Sequence, residues 1–243
     1  MIKRLFDLII SILLILIFLP IIIVFTILIW AQDYKSPFYI APRMGRNENI
    51  FNMIKFRSMI INADKSGVDS TSSNDSRITN LGKVVRKYKI DELPNFFNIL
   101  VGQMSFVGPR PNVKRETDLY TDVEKKLLSV RPGITDLSSI IFSDEGDILK
   151  DSTDPDLDYN QLIRPWKSRL GILYIQNSSI IVDVKLMIIT AISIISREKA
   201  IEMISKILNN ISDDEKLINV CKRNDKLYPY PPPGAESVVQ SRK

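Results

Sequence analysis

The run from Leu8 to Gln32, LIISILLILIFLPIIIVFTILIWAQ, has no ionisable side chain and is almost entirely Ile, Leu, Val and Phe. A helix rises about 1.5 Å per residue, so this run is long enough to cross a hydrocarbon layer about 30 Å thick. Lys3 and Arg4 precede it, and Trp30 and Tyr34 sit where interfacial aromatics belong. A signal peptide fits poorly, because the run is too long and Trp30-Ala31-Gln32 is a poor cleavage site. A plain spanning helix is the default. The competing arrangement rests on Pro20, near the middle, where a missing N–H and a ring clash kink or break a helix. Kinked spanning helices are common, so Pro20 alone does not decide. Lys35, Arg43 and Arg46 follow the run, so positive charge flanks both ends. A re-entrant helix, entering and leaving on one face, would place all five bases in the cytosol.

Composition narrows the chemistry of the rest. The 243 residues include one cysteine, Cys221, and no histidine. An intrachain disulfide framework is therefore excluded, as are Ser-His and Cys-His nucleophilic sites and His-ligated zinc. A metal here would be held by oxygen ligands, which favours magnesium or a similar hard cation. The net charge of +5 suits an anionic partner such as a phospholipid surface or a nucleotide.

The pattern predicts an α+β fold: an N-terminal membrane helix, spanning or re-entrant, then a small, mostly helical domain with short strands and interfacial amphipathic helices. The expected divisions are 1–34 for the membrane helix, 35–210 for the catalytic domain and 211–243 for a partly disordered tail. Two short strands are expected between Ser36 and Ile60, and a loop over 62–75. Helices are expected over Ser76–Lys89, Asn95–Leu100, Glu116–Ser129, Asp154–Tyr174, Ile180–Ile195 and Arg197–Asn209. Strands are expected at MSFV and after the RPG turn at Arg131–Gly133. The segment Ile180–Ile195 is too short without its charges, Asp183 and Lys185, to span a bilayer; it reads equally as a core helix or an interfacial one.

The chemistry centres on RKYKIDELPNFFNIL, where Asp91 and Glu92 follow Arg86, Lys87 and Lys89 and precede Pro94. Taken alone, such a pair reads as a helix cap. It also matches a phosphate-handling centre. An ionised carboxylate can act as a nucleophile toward phosphorus, and a second can hold magnesium against phosphate oxygens. Lys55 and Arg57 alternate within KFRSM, so both project from one face of a strand. Arg110 in GPRP and Arg131 in RPG are held in rigid turns, and arginine matches phosphate with paired donors. Each alone reads as a structural turn with a solvated arginine.

In their order, these pieces resemble the bacterial sugar transferases, the monotopic phosphoglycosyl transferases. The likeness runs from KRLFDLIISILL through KFRSM, GKVVRKYKIDELPNFFNILVGQMSFVGPRP and RPGIT to YIQNSSIIVDVKLMIITA, about residues 3 to 195. It implies transfer of a sugar 1-phosphate from a UDP-sugar to undecaprenyl phosphate at the cytosolic face of the bacterial inner membrane. UMP is released, and a surface glycan is primed. It implies Asp91 as nucleophile, Glu92 with Asp91 at Mg2+, and Lys55, Arg57, Arg86, Arg110 and Arg131 as substrate-binding residues. It implies a re-entrant helix broken at Pro20, and is compatible with a homodimer; no nucleic acid is expected as partner. Two departures stand out. Leu19 replaces a serine common before the break proline, and DLSSIIFSDEGDIL replaces the family's usual text after RPGIT. An inactive scaffold for glycan assembly is the alternative reading.

Overall fold

The computed structural model describes residues 2–63, 71 and 74–241. Most of the loop expected over 62–75 lies outside them. The fold mixes helix and strand, and its most unusual element is the first. Helix α1 (Ile2–Ala31) continues through Pro20 and has a mean hydropathy of 3.5 over its most apolar window.

One stripe of α1 packs on the domain along the whole helix. Ile10, Leu14, Ile15 and Phe18 meet the main core, and Ile22 and Ile29 join Phe56 and Val85 in a second cluster. Both ends are tied down. At the start, the Lys3 ammonium donates to Val107 O and to the Asp183 carboxylate, and Arg4 donates to Ile99 O at 2.6 Å and Leu100 O at 2.8 Å. At the far end, Arg57 grips Asp33 with two bonds of 2.6 and 2.7 Å. The opposite face, with Leu5, Ile9, Leu16, Ile23 and Ile27, is bare.

Strands β1 (Phe38–Met44) and β2 (Ile50–Phe56) form an antiparallel hairpin in which Phe38 faces Phe56 and Tyr39 faces Lys55. Helix α2 (Asn80–Lys87) is capped by Thr79, whose hydroxyl accepts from Gly82 N. It starts later than the expected Ser76, because Thr79 supplies the cap. A 3-10 turn (Ile90–Glu92) and helix α3 (Asn95–Leu100) follow, ended at Gly102 with φ of +87°. Strand β3 (Ser105–Val107) pairs in parallel with β4 (Gly133–Thr135). Between them lie helix α4 (Lys114–Thr117) and a 3-10 stretch (Glu124–Ser129), where one helix over Glu116–Ser129 was expected. Thr121 and Glu124 break it by bonding each other's backbone N–H groups.

After Thr135 the expected strand stops. Asp136 accepts from Ser139 N at 2.7 Å and starts helix α5 (Leu137–Ile141) in a capping box. Helices α6 (Glu145–Ile148) and α7 (Pro155–Asp158) lead to a π turn (Tyr159–Ile163) and helix α8 (Arg164–Gln176). Helices α9 (Ile180–Ile195), α10 (Arg197–Ile211) and α11 (Glu215–Lys222) complete the core, in which Trp166, Leu170, Leu186, Ile204 and Leu208 are fully buried.

The tail was expected to be disordered, and here the structure corrects the sequence reading. Tyr230 stacks on Trp166 with ring centroids 4.4 Å apart, and Arg169 donates to Pro231 O at 3.0 Å. Pro165 has no N–H to give Gln161 O four residues earlier; Tyr230 N donates to that oxygen instead, at 3.0 Å. The tail thus satisfies an acceptor that the proline leaves open.

Candidate active site

The site forms where the hairpin, α2 and the 3-10 turn converge. Lys89 enters that turn with φ of 53° and ψ of 25°. The left-handed region costs a non-glycine residue about 1–2 kcal/mol, so packing on either side must enforce it. The reversal turns Asp91 and Glu92 back toward β2. Pro94 and α3 then carry the chain into the core, where Phe96 and Ile99 anchor it.

The two acids meet different surroundings. Glu92 Oε1 accepts from Lys55 Nζ at 3.2 Å and from Arg110 Nη2. Burial alone would raise the Glu92 pKa, but Arg110 and Lys55 outweigh it and hold the carboxyl well below the usual range. Asp91 makes no hydrogen bond or ion pair among the described residues. Burial pushes its carboxyl above the ordinary value, with the Lys55 charge opposing and the Glu92 charge reinforcing the rise. Burial likewise lowers the Lys55 and Lys89 ammonium groups, partly offset by Glu92. The Arg110 guanidinium is shifted up by Glu92.

Asp91 opens onto a cavity of about 400 Å³, lined also by Tyr39, Lys55, Ser58, Arg77, Arg86 and Arg110. Lys55, Arg86, Lys89 and Arg110 outnumber the two acids, so the site carries surplus positive charge. The arrangement suits a phosphate-bearing ligand, with a free carboxylate at its edge.

The structure thus brings Lys55, Arg86, Asp91, Glu92 and Arg110 together. Arg57 also touches the cavity wall, but its guanidinium is 7% exposed and committed to Asp33 and to Ser36 O. Arg131 is not gathered in. It lines no part of this cavity, and its Nε donates to Gly102 O at 2.8 Å. Sequence reasoning missed Tyr39 and Arg77. Tyr39 was legible in principle, since β1 pairs it with Lys55; Arg77 carried no local signal.

Among the described residues, no group of three or more acids or thiolates could cage a metal. Asp91 and Glu92 alone fit magnesium, which characteristically takes one or two carboxylates and completes its shell with water and substrate phosphates.

Known proteins resemble this chain in sequence. The family model for bacterial sugar transferase matches residues 1–197. The chain belongs to the bacterial sugar transferase family. Among curated members of it, the UDP-glucose:undecaprenyl-phosphate glucose-1-phosphate transferase of Klebsiella pneumoniae is 32% identical over 77% of this chain and 39% of its own length. The galactosyl transferase CpsE of Streptococcus agalactiae serotype III is 36% identical over 61% of this chain and 32% of its own. A putative undecaprenyl-phosphate N-acetylgalactosaminyl 1-phosphate transferase of Bacillus subtilis is 39% identical over 55% of this chain and 71% of its own. The chain thus spans about a third of the length of the first of these curated sugar transferases.

Proposed function

We propose that this protein transfers a sugar 1-phosphate from a UDP-sugar to undecaprenyl phosphate, priming a surface glycan. The observation that carries the reading is the unpartnered Asp91 carboxylate at the mouth of a cationic cavity, beside a Glu92 already neutralised by Lys55 and Arg110. In the first half-reaction an Asp91 oxygen attacks the β-phosphorus of the donor. The bond from that phosphorus to the bridging oxygen breaks, and UMP leaves with the electron pair. In the second, an oxygen of the lipid phosphate attacks the same phosphorus, freeing the Asp91 carboxylate and leaving a polyprenyl-diphosphate sugar. Arg110 and Lys55 bind phosphate oxygens, and Arg86 faces the same cavity. Asp91 and Glu92 would hold a magnesium ion, which when bound neutralises charge on the phosphate oxygens. One site serves both substrates in turn, so ping-pong kinetics follow.

The docking of α1 supports a membrane arrangement for this reading. A straight spanning helix cannot keep one stripe against a domain on one side of a bilayer along its length. With both ends held by the same domain, α1 lies re-entrant in one leaflet, its bare face in lipid, the domain on the cytosolic face of the inner membrane. Helix α9 adds to this surface: Leu186 and Ile189 are buried while Ile181, Ile188 and Ile195 are exposed.

The test is UMP release from a panel of UDP-sugars by detergent-solubilised protein with undecaprenyl phosphate and magnesium. Lipid-dependent release that Asp91→Asn abolishes is expected. No release with any donor, from folded protein, would favour the scaffold reading.

A further inference from the structure

Arg110 has two sides. One faces Glu92 and the large cavity; the other lines a second cavity of about 40 Å³, together with Pro109, Asn112, Leu127, Asp136, Tyr159 and Lys167. We infer that this second cavity receives the acetamido group of the donor sugar, making the protein selective for UDP-linked 2-acetamido sugars. The inference rests on the donor reading above and names the donor's chemical class.

The position follows from the chemistry of the substrate. A donor whose β-phosphate sits between Asp91 and Arg110 sends its nucleotide into the large cavity. Its sugar then lies on the other side of Arg110. On a hexose 1-phosphate, the ring carbon beside the anomeric carbon carries a substituent close to that phosphate. The small cavity stands where that substituent arrives.

Its size and lining select among substituents. A volume of about 40 Å³ has room for about three water-sized atoms, given roughly 10–15 Å³ for each. An acetyl group adds a carbonyl carbon, an oxygen and a methyl; a hydroxyl would leave most of the space unfilled. Pro109 is buried and Leu127 is 8% exposed, so they offer an apolar floor for the methyl. Polar groups surround that floor. The Tyr159 hydroxyl has no hydrogen-bond partner among the described residues and stands ready to donate to the carbonyl. The Lys167 ammonium is pinned by Glu145 and lies 5.4 Å from the Tyr159 ring centroid. Asp136, fixed by Ser138 and Ser139 N, can accept from the amide N–H.

Asp136 and Ser138 begin the segment whose text departs from the family's usual pattern, and Tyr159 opens the π turn, an insertion often found at functional sites. A change of sequence at a sugar-reading position is where a change of donor would be written.

Donor binding separates this inference from the reaction itself. Full-length Asp91→Asn protein in detergent is titrated calorimetrically with UDP, UDP-N-acetylglucosamine, UDP-N-acetylgalactosamine, UDP-glucose and UDP-galactose. At least one acetamido donor is expected to bind about tenfold or more tightly than its hydroxyl counterpart. Tyr159→Phe should cut that ratio severalfold while moving the affinity for UDP less than twofold. Asn112→Phe, which fills the cavity, should abolish the ratio; if that variant misfolds, Tyr159→Phe alone decides. Equal binding of acetamido and hydroxyl donors, or a preference indifferent to Tyr159→Phe, overturns the inference and leaves the donor reading standing. Failure of UDP and every donor to bind overturns both.

Discussion

Two glutamates in this protein each grip an arginine, and they differ in what surrounds the pair. Glu124 and Arg164 are buried together, 0% and 3% exposed. Every nearby donor and acceptor is matched: Ser168 Oγ and Thr121 N donate to the carboxylate, and Arg164 also donates to Asn160 Oδ1 and Leu119 O. Glu92 instead takes Lys55 and Arg110 on a single oxygen, and the side chains of Asp91 and Arg86 have no hydrogen-bond partner among the described residues. A closed ion network specifies a packing arrangement. An open one retains the capacity to bind something else. The difference separates a structural pair from a site, although both contain the same side chains.

The comparison breaks first at Asp91. Asp91→Asn should lower turnover by roughly three orders of magnitude or more, the usual scale for losing a nucleophile, without lowering Tm. Steady-state UMP release and thermal unfolding in the same detergent measure both. Retention of about a tenth of the activity would mean that the lipid phosphate attacks the donor directly.

Next is Glu124. Glu124→Ala leaves Arg164 buried and uncompensated, which costs roughly 3–5 kcal/mol. Glu92→Ala should cost well under half as much, because Lys55 and Arg110 can turn toward the solvent of the cavity, yet it should remove most turnover. Chemical denaturation of the two variants side by side tests the contrast; equal destabilisation would mean that Glu92 is as structural as Glu124.

How much of this was visible beforehand depends on the range of the interaction. Asp91, Glu92 and Arg110 lie in one continuous stretch, and their meeting needs only a turn at Lys89 and a return at β3. The hairpin was legible because alternating residues between turn signals allow little else. Arg57 was expected at the substrate, and nothing local showed that its guanidinium would be taken by Asp33, which follows α1 in the chain. Arg131 looked like Arg110 in sequence, each beside a proline, but its guanidinium is spent on the carbonyl of Gly102. The tail misled because prolines and charges mask its two aromatics; only the buried Trp166 explains why Tyr228 and Tyr230 bind there. The strand expected after the RPG turn forms as β4 but ends at Thr135, because Asp136 caps the helix that follows; that cap's sequence signal was present and overlooked.

Arg57 sharpens the comparison at a smaller scale. Its bond to Asp33 fastens the end of α1, and the exposure of Asp33 to solvent keeps the contribution of the pair small. Arg57→Gln and Asp33→Asn should lower stability by similar amounts, and the double variant by little more than either. Additive losses, or a loss of donor affinity in Arg57→Gln alone, would return Arg57 to the substrate.

The smallest effect is in pH, and it sets the two neighbouring acids against each other. The Asp91 carboxyl is raised, chiefly by burial, so the folded protein keeps a proton that the unfolded chain releases near pH 3.8. The stability tied to that proton is complete below the unfolded value and lost as pH rises through the folded one. Glu92 is depressed by Arg110 and Lys55, against its own burial; its contribution is complete above the unfolded value of 4.5 and lost only as pH falls through its folded value. In the window above the unfolded value of 4.5, therefore, the Glu92 contribution is constant while that of Asp91 is still being lost. Asp91→Asn removes that titration, so the variant should gain Tm over the wild type as pH rises, and the turnover of the wild type should climb over the same window as the nucleophile ionises. A Tm difference that stays flat across the window, with turnover still climbing, would assign the ionisation to the substrate phosphate rather than to Asp91.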